Sequence, residues 1–502
     1  MDDPGRLTPR IASRRLSAID LAALAAAQRA EFVWLDSSLP EGAPPRARAR
    51  ARWSVLAPCD GPFATRFRHE GRRAFLDVPA AASSWFGTSR TEERPAFAVL
   101  ADLLDATPTL DEPLPGLGFA LGWVGYLGYE LGRESDGVDR TADGHPDADL
   151  RFVDRAVVVR DDGAAWAFAL VTEAEPQATA ENRAWLAAVP DLRTASGGTD
   201  AAPGLPSGVV ATGRVTRAAH ELSVDACRAE IRDGNAFQVC LTTAFGLPAD
   251  GREARAGSDT DLQLVEYLRM RAADPVPFGA YLRLGVLRVA SRSPERFLRI
   301  GADGTVVAEP IKGTRRRDLD PTTDAAVRAE LASSGKDRAE NVMIVDLLRN
   351  DLLRTAEPGS VHVDRLCEVE TYASVHQLVS TIGARVVAGT SRAEVVRAAF
   401  PPGSMTGAPK PSAMAIADRL EGAPRGVYAG ALGYFSASGA VDLSVVIRTL
   451  VTVVGPGAGV VVSRSFGAGG AVTWSSVAAD EADEVETKTR SVLGSLGVVA
   501  DW

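Results

Sequence analysis

Cysteine is scarce: Cys59, Cys227, Cys240 and Cys367 are the only four in 502 residues, and they stand far apart with no Cys-x-x-Cys pair. This excludes a disulfide framework or a structural zinc site and suits a reducing cytoplasm. Histidine is nearly as rare, at five residues, and no His-Glu-x-x-His segment is present, so a zinc-protease helix is ruled out. Positive charge is also short, with a net charge of -10. A nucleic-acid surface, which needs a basic stripe to neutralise phosphates, is therefore not expected, and an anionic ligand would need a local basic pocket or a metal. No run of ~20 apolar residues suggests a membrane span. The alanine-rich stretch 21–30 is preceded by Asp20 and broken by Gln28 and Arg29, and lacks the apolar core and cleavage site of a secretory leader. No internal repeat, nucleophilic serine elbow or Cys-His arrangement is found.

What remains is the composition of an ordinary soluble enzyme, long enough for roughly two to four domains or one large sheet structure. Residues 1–13 read as a loose, flexible tail, and residues 17–29 as a short amphipathic helix with Ser17 as N-cap. Residues 14–195 form an N-terminal region rich in strands, such as 32–35, 53–57, 155–159 and 166–171, with a Pro/Arg/Ala-rich loop at 40–52. A linker is expected at 196–212, where Ser-Gly-Gly-Thr and Pro-Gly-Leu-Pro-Ser-Gly elements cluster. From 213 to 496 strands mix with helices at 223–233, 324–333, 337–354, 392–399 and 479–493. That texture predicts an α+β domain, not repeating βαβ units.

Several groups carry possible chemistry. Lys312 sits in Glu309-Pro310-Ile311-Lys312-Gly313-Thr314, where Pro310 pre-sets the backbone, Gly313 permits close approach and Thr314 offers a hydroxyl, so a turn holding the ammonium toward a pocket is expected. By itself this also describes a solvated lysine with a buried stem. Asp337 and Glu340 share one helical face at i and i+3, and Glu481, Glu484 and Lys488 repeat the geometry at i, i+3 and i+7. Two such helices can together supply the hard oxygen ligands magnesium prefers, and they equally describe solvated faces with intrahelical ion pairs. The segment 403–410 departs from the Walker pattern, because Ala408-Pro409 precedes Lys410 and Pro411 follows it. It reads as a turn whose amides can face an anion, or as an ordinary tight turn. The glycines Gly467, Gly469 and Gly470 are no dinucleotide fingerprint but can bring amides close to a carboxylate, which Arg448 could clamp bidentately. His376 lies in an apolar strand-like run, the usual setting of a core histidine.

Taken in order, Phe237-Gln238-Val239, Ser293-Pro294-Glu295-Arg296-Phe297, Pro310-Ile311-Lys312-Gly313-Thr314, Arg338-Ala339-Glu340-Asn341, Phe400-Pro401-Pro402-Gly403-Ser404-Met405-Thr406-Gly407, Ile447-Arg448-Thr449 and Gly467-Ala468-Gly469-Gly470 resemble the chorismate-binding enzymes. That family includes anthranilate synthase component I, aminodeoxychorismate synthase component I, and the isochorismate and salicylate synthases. The resemblance covers residues 213–496 closely and the N-terminal half more weakly, through Trp34-Leu35-Asp36-Ser37-Ser38 and Gly122-Trp123-Val124-Gly125-Tyr126. It implies large antiparallel β-sheets packed as a sandwich with flanking helices. It further implies chorismate as substrate and a Mg2+ site formed by Glu340 and Glu484 with Asp337 and Glu481 in support. Arg448, Tyr428, Lys488, Gly467, Gly469 and neighbouring amides would bind carboxylates, and His376 and Thr314 would lie beside the reacting ring.

Two positions choose within the family. Gln238 stands where isochorismate and salicylate synthases carry a water-activating lysine, and an amide cannot be that base. Lys312 stands where anthranilate synthases typically read Pro-Ile-Ala-Gly-Thr, and the lysine form resembles aminodeoxychorismate synthase. On this resemblance Lys312, as the free amine, attacks C2 of chorismate, Gly313 lines the substrate, Glu295 handles the proton, and ammonia enters at C4. No cysteine here has the Gly-x-Cys-x-Gly context of a glutaminase, so a separate glutamine amidotransferase partner, or free ammonia, is expected. Asp36, Ser37 and Ser38 match the region where relatives bind tryptophan, and also read as plain strand. The competing expectations are an anthranilate synthase component I and a non-catalytic chorismate-binding subunit that activates a glutaminase.

Overall fold

The computed structural model describes residues 8–39, 43–135, 137–140, 144–190, 208–249, 261–372, 375–455 and 460–502. The linker expected at 196–212 falls largely outside them.

Two large sheets carry the fold, of 13 and 12 strands among the described residues. The first runs Arg10–Leu16, Ala165–Val171, Arg155–Arg160, Trp53–Pro58 and Phe32–Asp36, then Phe278–Leu284, Leu287–Ser293, Thr449–Val454, Val461–Thr473, Gln238–Gly246, Val210–Gly213 and Val499–Asp501, with Gly407–Ala408 paired to Gln238–Gly246. The second runs Ile311–Arg316, Val375–Arg385, Thr305–Ala308, Arg296–Ile300, Val441–Val445, Ala431–Ser436, Gly122–Leu127, Ala148–Val153, Thr65–Glu70, Arg73–Asp77 and Arg90–Glu93, with His362–Thr371 also paired to Val375–Arg385. Pairing is antiparallel except between Val210–Gly213 and Val499–Asp501. The expected α+β class with antiparallel sheets and flanking helices is therefore found.

Alternation along single strands explains the layers. Val33, Ala280 and Leu282 enter one core together with Phe67, Trp123, Phe152 and Leu298 of the second sheet. Their neighbours Phe32, Trp34 and Tyr281 face the other way, into a second core under the helices Leu21–Ala27, Leu262–Ala273 and Ala478–Leu493. The inner core is thus shared by both sheets, as in a sandwich.

Several expectations are corrected. From Arg10 onward the supposed tail is a strand paired with Ala165–Val171. The helix after it runs from Leu21 to Ala27 and is capped by Asp20, which accepts from the amides of Ala22 and Ala23, because the strand claims the chain through Leu16 and leaves Ser17 outside. Part of the loop at 40–52 is the helix Pro45–Arg50. The end of the expected linker is sheet, since Val210–Gly213 pairs on both sides. The halves on either side of the linker interleave: Phe32–Asp36 pairs with Phe278–Leu284, and Gly122–Leu127 with Ala431–Ser436.

A buried charge network ties the short helix to the second sheet. Arg50 donates to Glu309 at 2.7 and 3.0 Å and to Glu370 at 2.6 and 3.1 Å. Arg296 joins at 2.7 Å to Glu309 and 2.9 Å to Asp442, and Arg365 at 2.7 Å to Glu370. Burial opposes ionisation, yet hydrogen bonds from Arg50 and Arg365 hold the Glu370 carboxyl down at about 2. Removing one partner of such a pair leaves a charge buried and uncompensated. Arg50→Ala is expected to lower unfolding stability by about 3–5 kcal/mol. Arg46→Ala, whose pair with Glu368 is exposed, should change it by less than about 1 kcal/mol, both read from denaturant midpoints.

Candidate active site

The segment Ser293-Pro294-Glu295 leaves the strand Leu287–Ser293 of the first sheet and enters Arg296–Ile300 of the second. Proline suits this crossing because it needs no ladder hydrogen bond. Glu295 is anchored through its carbonyl, which accepts from Val445 N at 3.0 Å. Its side chain is buried, and that burial lifts the carboxyl to about 6 against the pull of Lys312.

Lys312 lies on Ile311–Arg316, opposite Leu378, and the register shifts between Lys312 and Thr314. Gly313 makes that bulge, with φ of 74°, a conformation side chains resist. A Cβ there would also fall 2.9 Å from atoms of Asp337. Lys312 is half-buried and acts electrostatically on Glu295, Glu340 and Glu484.

Those last two carboxylates come from the helices Gly335–Leu353 and Ala478–Leu493. Burial pushes the Glu340 carboxyl up to about 7, with Lys312 and Lys336 opposing and Glu484 and Glu481 adding. Glu481 is almost fully enclosed, raised by burial, and accepts from Ser476 Oγ at 2.7 Å, while its Oε2 has no hydrogen-bond partner among the described residues. Lys336 Nζ lies 3.7 Å from Glu481. Glu484 is held low, chiefly by Lys488, whose Nζ is 2.6 Å from its Oε1 and donates to the Gly469 carbonyl at 2.7 Å. The glycines of this strand let neighbours close in. A Cβ on Gly470 would sit 2.7 Å from Glu481 Oε2, and one on Gly467 would sit 2.3 Å from the Tyr428 ring. Gln238 is fully buried and its strand is paired in register with Thr473 and Ala408, while neither atom of its side-chain amide has a hydrogen-bond partner among the described residues. Arg448 is partly exposed, and burial lowers its pKa against Asp274 and Glu295.

Thus Lys312, Glu295, Glu340, Glu481, Glu484, Lys488 and Arg448 form one electrostatic neighbourhood. Other expected members are drawn elsewhere. Asp337 is held by Arg315 at 2.8 Å and by the Ser334 hydroxyl at 2.6 Å, so it braces the Lys312 strand. The ring nitrogens of His376 are engaged by Thr371 and Asp324, each at 2.9 Å, and Thr314 is exposed. Lys410, beside the supposed anion turn, is buried and donates to Asp351 at 2.8 Å and to the carbonyls of Ala399 and Pro401. It is an internal tie of the turn to the helix Gly335–Leu353. Asp36 is fully buried against Arg271 at 2.6 Å and the Tyr267 hydroxyl at 3.0 Å. With Ser37 it lines a cavity of about 430 Å3, along with Arg50, Trp53, Arg296 and Tyr434. Ser38 is not in that lining. Lys336 was missed from sequence, although its i,i+4 spacing to Glu340 marks a shared face.

Among the described residues no three acidic, His or Cys side chains stand at metal-holding distance as they lie. In kind, however, the unpartnered Glu481 oxygen and the raised Glu340 carboxyl are what a dication would relieve. Glu484 would exchange its lysine for the ion.

Residues 63–494 match the family described as chorismate binding enzyme, and the chain belongs to that family. It is 44% identical, over 92% of its length, to a protein of Streptomyces griseus named aminodeoxychorismate synthase, and spans 60% of that relative's length. It is 36% identical to aminodeoxychorismate synthase component 1 of Klebsiella aerogenes, covering 77% of this chain and 79% of that one. In structure it is similar to anthranilate synthase component I from Streptococcus pneumoniae TIGR4, with a TM-score of 0.71, 23% identity, and 91% and 94% of the two chains covered. That likeness concerns the fold.

Glu340 lends itself to a stability test. Its folded carboxyl titrates at about 7 against an ordinary 4.5, so the folded state binds the extra proton and stability falls as pH rises through that window. Glu340→Gln should therefore stabilise metal-free protein at pH 8 by about 3 kcal/mol, seen as a higher melting temperature, and by much less near pH 4. Paired thermal scans at the two pH values check this.

Proposed function

We propose that the chain is an aminodeoxychorismate synthase of the component I type, which converts chorismate and ammonia to 4-amino-4-deoxychorismate. The observation that carries this reading is Lys312 on its glycine bulge, within electrostatic reach of Glu295, Glu340 and Glu484. The relatives' names support it.

Arg448 and Lys488 offer cationic ends for the substrate carboxylates, and the carbonyl of Gly469 fixes the Lys488 ammonium. The Lys312 amine forms a bond to C2 while the C4–O bond breaks. Glu295, raised to about 6, takes the proton the ammonium releases and hands one to the departing hydroxyl, which leaves as water. Ammonia then bonds to C4 as the C2–N bond breaks, returning Lys312 and keeping the enolpyruvyl group. The net change is chorismate plus ammonia to aminodeoxychorismate plus water. Gln238 lacks the basicity to activate water, which disfavours hydroxyl addition at the same ring.

Magnesium held by Glu340, Glu481 and Glu484 would supply charge compensation for the ring carboxylate. Ammonia is assigned to a glutamine amidotransferase partner, in keeping with the component 1 name of the Klebsiella relative, and the product to 4-aminobenzoate and folate synthesis or a specialised aromatic amine. A cytoplasmic setting fits four cysteines without a disulfide partner. No helix among the described residues is long and apolar enough to cross a membrane. The cavity beside Asp36 and Ser37 is a second candidate site, for an amino-acid effector such as tryptophan.

Mass spectrometry of reactions with chorismate, magnesium and ammonia is expected to show 4-amino-4-deoxychorismate. Anthranilate with released pyruvate would overturn the assignment. Lys312→Ala should lower turnover on the order of 100-fold or more, about 2.7 kcal/mol of barrier. Unchanged turnover in that variant would remove the covalent role.

A further inference from the structure

Arg448 has a feature that its place beside the carboxylate cluster does not account for. It is one of few non-glycine residues with a left-handed backbone, at φ of 53°, a conformation that persists only where surrounding structure holds it. Two residues outside the motifs do the holding. The backbone N–H of Arg292 donates to the Arg448 carbonyl at 3.2 Å, just where Leu287–Ser293 and Thr449–Val454 begin to pair at Ser291 and Thr449. Asp274, the residue that ends the helix Leu262–Ala273, then meets both side chains. Its Oδ2 accepts from Arg292 Nη2 and lies 3.7 Å from Arg448 Nη1, while its carbonyl accepts from Arg292 Nε at 3.2 Å.

The arrangement is asymmetric. Arg292 is 1% exposed and committed to Asp274, whereas the Arg448 side chain keeps 28% exposure and acts on the charges of Glu295 and Lys488. One carboxylate thus stands between a fixed guanidinium and a free-ended one. An arginine used as a bidentate clamp must present its fork in a set plane, and a long side chain left free loses affinity through the entropy of ordering it.

We propose that Asp274, seated on Arg292, is a positioning residue that orients Arg448 toward a substrate carboxylate. This rests on the chorismate reading above. Asp274 touches no substrate, and its effect passes through the Arg448 guanidinium.

The test compares Asp274→Asn, Asp274→Glu and Arg448→Ala, with the Asp274→Asn/Arg448→Ala double variant, using chorismate, ammonia and magnesium. Asp274→Asn should raise the chorismate KM about 10-fold with a much smaller change in kcat, as loss of binding oriented equally in ground and transition states requires. Asp274→Glu, which keeps the charge, should recover part of that loss. In the Arg448→Ala background the Asp274 change should have no further effect on KM. An unchanged KM in Asp274→Asn, or an equal additional loss in the Arg448→Ala background, overturns the proposal, the latter by showing a structural role independent of Arg448. Wild-type protein without chorismate turnover overturns the functional reading as well. Active wild type with an unaffected Asp274→Asn overturns this inference alone.

Discussion

The site depends on one electrostatic constraint: carboxylates are gathered into a poorly solvated space and held there by lysines. Glu295, Glu340 and Glu481 are all buried, and burial raises each of their pKa values. Isolated charges in such a setting would be costly. Lys312 and Lys336 offset Glu340, Lys488 offsets Glu484, and Lys336 lies near Glu481. The same frustration gives the site its chemistry, because a carboxyl near 6 or 7 can exchange protons at neutral pH and a residual negative field attracts a cation.

The scaffold holds these charges from several directions. Both sheets contribute, through the Ser293-Pro294-Glu295 crossing and the bulged Lys312 strand, and two helices close the other sides. Behind the lysine, Glu309 is clamped by Arg50 and Arg296, which also line the cavity beside Asp36. In front, Asp337 holds Arg315. The strand carrying Lys312 is thus restrained at both ends by charge-assisted hydrogen bonds, which are stronger and more directional than neutral ones.

Much of this was legible in one dimension where the signal was local. Helical spacing placed Glu481, Glu484 and Lys488 on one face, and Lys488 does pair with Glu484. Pro310 and Gly313 pointed to a turn at Lys312, whereas the chain runs through as a strand with a bulge at a left-handed glycine. Asp337 and Glu340 shared the predicted helix but parted company, since Arg315 and Ser334 compete for Asp337. Competition also explains His376 and Lys410, whose polar atoms are taken by Asp324 and Asp351 from distant segments.

By itself the sequence determined the residue types available for chemistry, the helical faces that carry the acids, and the choice of lysine at 312 and glutamine at 238. Those follow from covalent identity and short-range periodicity. Only the tertiary structure decided that the two halves of the chain interleave in both sheets, that Arg10–Leu16 is a strand, and that Asp274 and Arg292 stand behind Arg448. Strand partners and buried ion pairs join residues far apart in the chain, and which partner wins is settled by burial and geometry that no local pattern contains.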